Sequence, residues 1–248
     1  MLGCGPVDRP AHVAGVAAIS PGQDLRSPGG DAAFDHPIFS ESIRRIRAWL
    51  GDTGLDPVQA QVLERLVHSS GDLSLAAELR FSDGACDRGL KALAAGAVIL
   101  TDTAMAAAAV APMARRTFGN RVCSVLDWAP AQASRGGTRA ADGMDRALEA
   151  LSGCAGSAGS PLVVLIGSAP TALELLLDRV WRPGARWRAP DLVIGMPVGF
   201  VGVAESKRHL ADSGLPQIRL EGSRGGAGLV AAAANALLRH AWLEPGRA

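Results

Sequence analysis

Two consecutive strand–glycine–helix units between residues 162 and 207 constrain this chain more than any other stretch. The first reads Leu162-Val163-Val164-Leu165-Ile166, then Gly167-Ser168-Ala169-Pro170-Thr171, then a helix-forming Ala172-Leu173-Glu174-Leu175-Leu176-Leu177. The second reads Leu192-Val193-Ile194, then Gly195-Met196-Pro197-Val198-Gly199-Phe200-Val201-Gly202, then Ala204-Glu205-Ser206-Lys207. An unbroken aliphatic run is the mark of a parallel strand buried on both faces. Glycines after such a strand let backbone amides approach a ligand. A helix start behind them turns N–H groups and a positive dipole end toward anions.

Three further units extend the pattern. Residues 97–102 read as a strand with a helix over 104–110, and 121–126 as a strand whose helix, over 138–151, follows the Arg135-Gly136-Gly137 turn. The last is a strand over 217–220, a glycine turn over 222–228 and a helix over 230–238. Strand-to-helix units in series predict an α/β fold, a mainly parallel sheet with helices on both faces. An N-terminal helical section precedes it. Ser40 or Ser42 is the expected cap of a helix through Ile43, Ile46, Trp49 and Leu50. Asp56 and Pro57 open a second helix, with Val58, Val62, Leu63, Leu66 and Val67 on its apolar face and Gly71 at its end. Residues 72–79 read as a short helix, and 87–95 as another. Residues 1–35, punctuated by Gly5-Pro6, Pro21-Gly22 and Pro28-Gly29-Gly30, predict a disordered extension, leaving residues 36–248 as a single α/β domain. Residues 152–161 and 181–190 read as connections.

Composition narrows the function classes. A net charge of +1 gives no broad basic face for nucleic acid, so an anionic ligand has to be met by local arginines. Cys4, Cys86, Cys123 and Cys154 include no CxxC pair, which disfavours structural zinc or a disulfide framework. No run approaches the roughly 18 apolar residues of a membrane span. Residues 1–30 lack the basic start and apolar core of a secretory signal, so the expected setting is cytoplasmic.

The common catalytic motifs are missing. There is no GxxxxGK[ST], no GxSxG and no HExxH, and His12, His36, His68, His209 and His240 are far apart. Gly226-Ala227-Gly228-Leu229-Val230-Ala231 fits GxGxxA, but no strand with an acidic residue follows it, so dinucleotide binding is rejected there. What remains is His68, at a helix end beside Ser69-Ser70-Gly71-Asp72. By position alone it reads most simply as a cap or half-buried structural residue. The helix C-terminus is expected to favour its charged form.

The ordered set of segments is more specific than any one of them. It comprises Leu66-Val67-His68-Ser69-Ser70-Gly71-Asp72, Phe81-Ser82, Ala94-Ala95-Gly96-Ala97-Val98-Ile99-Leu100-Thr101-Asp102 with Met105, and Gly137-Thr138-Arg139-Ala140-Ala141. It continues with Ile166-Gly167-Ser168-Ala169-Pro170-Thr171-Ala172-Leu173 and Val193-Ile194-Gly195-Met196-Pro197-Val198-Gly199-Phe200-Val201-Gly202, running into Ala204-Glu205-Ser206-Lys207, and closes on Gly225-Gly226. In this the chain resembles the precorrin-8X methylmutases of cobalamin biosynthesis and their cobalt-precorrin-8 counterparts, over about residues 42–238.

The resemblance implies an isomerase that moves a methyl group between adjacent carbons of ring C of a tetrapyrrole macrocycle, giving hydrogenobyrinate or its cobalt form. It implies no redox cofactor and no metal ligand from the protein, a cytoplasmic homodimer, and no nucleic-acid or membrane partner. The family's catalytic histidine falls on His68. The acetate and propionate arms of the macrocycle are expected at Arg139, Lys207 and Arg224, and at the helix starts after Gly167, Gly202 and Gly228. Ser42, Thr138, Ser168, Thr171, Gly167, Gly199 and Gly225 complete the expected contacts. Ser168 and Ala140 stand where many members have asparagine and serine, and the alternative reading is a diverged corrinoid-binding protein without turnover.

Overall fold

Five aliphatic runs form the parallel part of a six-stranded sheet in the computed structural model, which describes residues 34–153, 161–182 and 189–244. The strands are β1 (Leu79–Phe81), β2 (Val98–Thr101), β3 (Val122–Ser124), β4 (Leu162–Ile166), β5 (Leu192–Gly195) and β6 (Gln217–Leu220), in the spatial order β1-β6-β5-β4-β2-β3. All neighbouring pairs are parallel except β1 with β6. This is the expected α/β class. The antiparallel edge strand β1 was not expected, because three residues containing an arginine are too short to show a period. Its register, Leu79 against Leu220 and Phe81 against Ile218, is dictated by β6.

Strand alternation divides the core into two layers. In β4, Val163, Val164, Leu165 and Ile166 are all fully buried. Val163 and Leu165 face α2 (Pro57–Ser70), α3 (Ala85–Ala94), α4 (Ala104–Arg116) and α8 (Ala227–Leu243). Val164 and Ile166 face α5 (Arg139–Gly153), α6 (Pro170–Trp181) and α7 (Val203–Asp212). Each such side chain contributes about 1.5–3 kcal/mol relative to exposure, which is why a central parallel strand tolerates no polar position. Helix α8 lies deep in the first layer. Ala231, Ala232, Ala233 and Ala234 are buried, and the small side chains let α2, α3 and α4 pack closely around it.

Local capping explains most helix boundaries. Asp56 caps α2 through the amides of Val58 and Gln59, in a capping box with Gln59, and Gly71 ends the helix in a left-handed conformation. Helix α1 (Pro37–Leu50) starts earlier than the expected serine caps, because His36 accepts from the Ile38 amide through Nδ1 and Pro37 takes the first turn. Ser42 therefore sits within the helix. Residues 72–79 form a 3-10 turn (Leu73–Ala77) leading into β1 rather than an α-helix. The strand expected over 121–126 ends at Ser124, whose side chain begins a second 3-10 turn (Val125–Asp127). The extension expected over residues 1–35 falls, but for Phe34 and Asp35, outside the described residues, as do 154–160 and 183–188 of the two connections. Among the described residues, no helix is long and apolar enough to cross a membrane.

Strand order locates the functional end. From β2 the chain moves outward to β3, then returns to place β4 on the other side of β2. The crevice outside the carboxyl ends of β2 and β4 is a topological switch point, where open α/β sheets bind ligands.

Candidate functional site

The turns after β4, β5 and β6 are bonded to one another and form one floor across the strand ends. Val198 donates its amide to the Gly167 carbonyl at 3.2 Å, Gly199 to Ser223 at 3.0 Å, and Gly226 to Met196 at 2.9 Å. A Cβ at Gly167 would lie 2.7 Å from the Ala227 nitrogen, and one at Gly225 would run into the Met196 carbonyl. These two expected ligand glycines are thus required by turn-on-turn packing, whatever binds above them.

The helix start after Gly167, expected to take a substrate carboxylate, already holds one from within the chain. Asp102, fully buried at the end of β2, accepts the Ser168 amide at 2.6 Å and the Ala169 amide at 2.8 Å through Oδ2. Its Oδ1 is buried without a hydrogen-bond partner among the described residues. Burial raises the carboxyl above the usual carboxylate range, against the pull of the Gly167, Ser168 and Ala169 amides. The dipole end of α6 is therefore neutralised internally. By contrast, α7 and α8 begin at Gly202 and Gly226 without a side-chain cap.

Lys207 and Arg224 also differ from expectation. Lys207 is 2% exposed and donates from Nζ to the carbonyls of Gly222 at 2.8 Å and Arg224 at 2.6 Å. Burial pulls its ammonium down to about 8, with Glu78 acting in the opposite direction. The Arg224 guanidinium donates to Asp72 Oδ2 at 2.5 Å and Ser74 Oγ at 2.7 Å through Nη1, and to Glu78 Oε1 at 2.7 Å through Nη2. Both cations bind the protein's own acceptors, Lys207 enclosed and Arg224 with part of its side chain exposed.

Arg139 is placed differently. It is exposed at the first turn of α5, donates from Nε to the Pro130 carbonyl at 2.9 Å, and has no acidic partner among the described residues. Beside it Thr138 accepts the Ala141 amide at 3.1 Å, and its hydroxyl lies 2.7 Å from that of Thr171 at the start of α6. The structure thus joins Thr138 and Thr171, while Ser168 remains exposed with its amide on Asp102.

His68 stands on the last turn of α2. Its Nδ1 is 2.8 Å from the Ser42 hydroxyl of α1, and its ring meets Phe39 edge-on with centroids 5.1 Å apart. Ser42, expected as a substrate contact, thus lies within hydrogen-bond distance of the imidazole. The expected charged form of His68 is also not favoured. Although the ring remains exposed, partial burial between α1 and α2, and then Arg65, lowers its pKa. Desolvation and a neighbouring cation outweigh the helix end. A hollow of about 200 Å³ lined by Arg47, Leu50, Ala60 and Glu64 lies at the opposite end of the α1–α2 pair from His68 and includes none of the expected site residues. No cluster of metal-binding side chains occurs among the described residues.

Sequence reasoning missed Asp102, Asp72 and Glu78 as parts of the site. An acidic residue directly after a buried strand was a signal for the first; the other two are recognisable only through Arg224.

Fold and site together define an α/β protein with a floor of mutually bonded turns at its strand ends, His68 on a helix end and Arg139 exposed without an acidic partner among the described residues. The model of the precorrin-8X methylmutase family matches residues 37–240, and the chain belongs to that family. It is 42% identical over 205 residues to the precorrin-8X methylmutase of Pseudomonas aeruginosa, covering 81% of this chain and 93% of the relative. It is 34% identical over 225 residues to the cobalt-precorrin-8 methylmutase of Synechocystis, covering 85% and 98%. The solved precorrin-8X methylmutase of Thermus thermophilus superposes with a TM-score of 0.70 at 40% identity, covering 82% of this chain and 95% of that one.

Proposed function

We propose that this protein is a precorrin-8X methylmutase, moving a methyl group between adjacent ring C carbons of the macrocycle. The observation that carries the reading is the family match, whose span contains every expected site residue. Substrate and product are isomers. One carbon–carbon bond to the methyl breaks and another forms on the neighbouring carbon, so the step needs no leaving group and no external nucleophile. It does need the macrocycle held in one geometry and a proton near ring C to bias its π system.

In this reading His68 is the general acid. As the imidazolium it donates from Nδ1 to the Ser42 hydroxyl and presents the Nε2 proton to the macrocycle, and transfer of that proton leaves a neutral imidazole still held through Nδ1. The proton returns to the ring after the shift. Arg139 takes a carboxylate arm, supported by its exposure and its lack of an acidic partner among the described residues. The Thr138 and Thr171 hydroxyls, Ser168 and the uncapped start of α7 hold other polar groups of the rim. The reading also takes residues 36–248 as one catalytic domain, acting as a cytoplasmic homodimer. Analytical sedimentation showing only monomer would remove the dimer.

The test is to supply precorrin-8X to the purified protein and follow the visible spectrum. Conversion to the hydrogenobyrinate spectrum is expected. Tight binding of the product without conversion would replace the enzyme with a corrinoid-binding protein, the outcome that Ser168 in place of the family's asparagine would then explain.

A further inference from the structure

Lys207 poses a physical question. A buried ammonium loses hydration worth several kcal/mol, and an apolar side chain of similar volume is often as stable or more so. Here the charge is retained 2% exposed, without an ion pair at its nitrogen among the described residues, on two main-chain carbonyls of the β6–α8 turn. One of them belongs to Arg224. Holding that carbonyl fixes where the Arg224 side chain leaves the floor.

The Arg224 guanidinium then crosses to the segment that follows His68. It meets Asp72 and Ser74 at one nitrogen and Glu78 at two others, Nε at 3.1 Å and Nη2 at 2.7 Å. Asp72 is itself tied to the last turn of α2. Its amide donates to Ser70 Oγ at 3.2 Å, and that hydroxyl donates to the Leu66 carbonyl at 2.9 Å. The Gly71 amide closes the same turn on the Val67 carbonyl at 2.8 Å. An unbroken run of hydrogen bonds therefore leads from Lys207 to the turn that carries His68.

We infer that Lys207 and Arg224 are positioning residues, a cationic strut rooted in the core that fixes the His68 turn against the floor on which the macrocycle rests. This rests on the reading of His68 as the acid. Two consequences separate it from direct recognition of substrate. Losing the strut should displace the imidazole and slow the chemical step, whereas losing a carboxylate partner should weaken binding. Misplacement of a reacting group by about 1 Å costs on the order of 100-fold in rate. The lowered pKa of Lys207 is consistent with a cation enclosed by the protein rather than opened to ligand.

The experiment compares wild type with Lys207→Met and Arg224→Gln. The His68 imidazole is followed by NMR titration in ligand-free protein, and kcat and KM are measured with precorrin-8X. The strut predicts a shifted His68 titration in both variants, a kcat lower by roughly 10- to 100-fold, and KM within about threefold of wild type. An unchanged His68 titration would overturn it, as would a large rise in KM with kcat preserved. Should Lys207→Met fail to fold, Arg224→Gln carries the test, since that side chain is only partly buried. Should wild type not turn over, the proposed activity fails, while the His68 titration still decides the strut.

Discussion

The β4–α6 and β6–α8 turns read alike in the sequence, as glycines after a strand, yet the fold completes them with opposite kinds of partner. At the first, the open amides of residues 167–169 face the buried Asp102 carboxyl, an internal acceptor. At the second, the open carbonyls of Gly222 and Arg224 face Lys207, an internal cation. A glycine turn at a strand end exposes polar main-chain groups of both kinds, and burial demands a partner for each. Where the chain supplies the partner, the turn is a rigid wall. The groups left open are His68, Arg139, the Thr138–Thr171 hydroxyls and the uncapped start of α7, and the proposed function assigns ligand recognition to them.

The largest effect should come from breaking the first turn. Asp102→Ala leaves buried amides unsatisfied and should lower stability by about 2–4 kcal/mol, read as a shift of the urea midpoint. A loss below about 0.5 kcal/mol would mean that Asp102 does not complete the turn. Asp102→Asn sharpens the point. The folded-state pKa of Asp102 is raised, so the folded chain keeps that proton to higher pH than the unfolded chain. Wild type should therefore lose stability relative to Asp102→Asn as the pH rises out of the carboxylate range. The opposite slope would assign the wrong charge state to the buried group.

The second turn should respond in the alkaline range. The folded-state pKa of Lys207 is depressed to about 8 from an ordinary 10.5, so between these values the unfolded chain binds the proton and the folded chain does not. Stability contributed by this group accordingly rises with pH across that window. The slope should be present in wild type and missing in Lys207→Met, with denaturation midpoints at several pH values as the measurement. Equal slopes would place Lys207 in solvent.

The smallest effect concerns the open region. Ser42→Ala should leave stability within about 1 kcal/mol, since one exposed hydrogen bond is lost. It should lower kcat about tenfold, the equivalent of one modest hydrogen bond, by releasing the tautomer of His68. A KM effect alone would return Ser42 to the role of substrate contact.

Strands β2, β4 and β5 were readable because a strand buried on both faces is mostly apolar, and β6, which carries Gln217 and Arg219, because a glycine turn and a helix follow it. Strand β1 was not, since three residues on an edge are specified by their neighbour β6 rather than by their own pattern. The position of His68 on its helix end was legible, but its environment was not. Phe39 and Ser42 meet its ring, and burial lowers its pKa, only once α1 packs on α2, while Arg65 acts from its own helix. The internal partners of Lys207 and Arg224 were not legible for a related reason. A cation near a helix start looks like a ligand for anions, and nothing local reveals that Asp72, 152 residues from Arg224, already fills that place.

In the proposed mechanism the proton transfer lies at His68 and the turn floor holds the macrocycle. Single-turnover conversion of precorrin-8X by His68→Ala, with bound pigment quantified in the same sample, tests that division most directly. The predicted result is pigment bound as tightly as by wild type, with conversion slowed by roughly 100-fold or more. Conversion at the wild-type rate would contradict it.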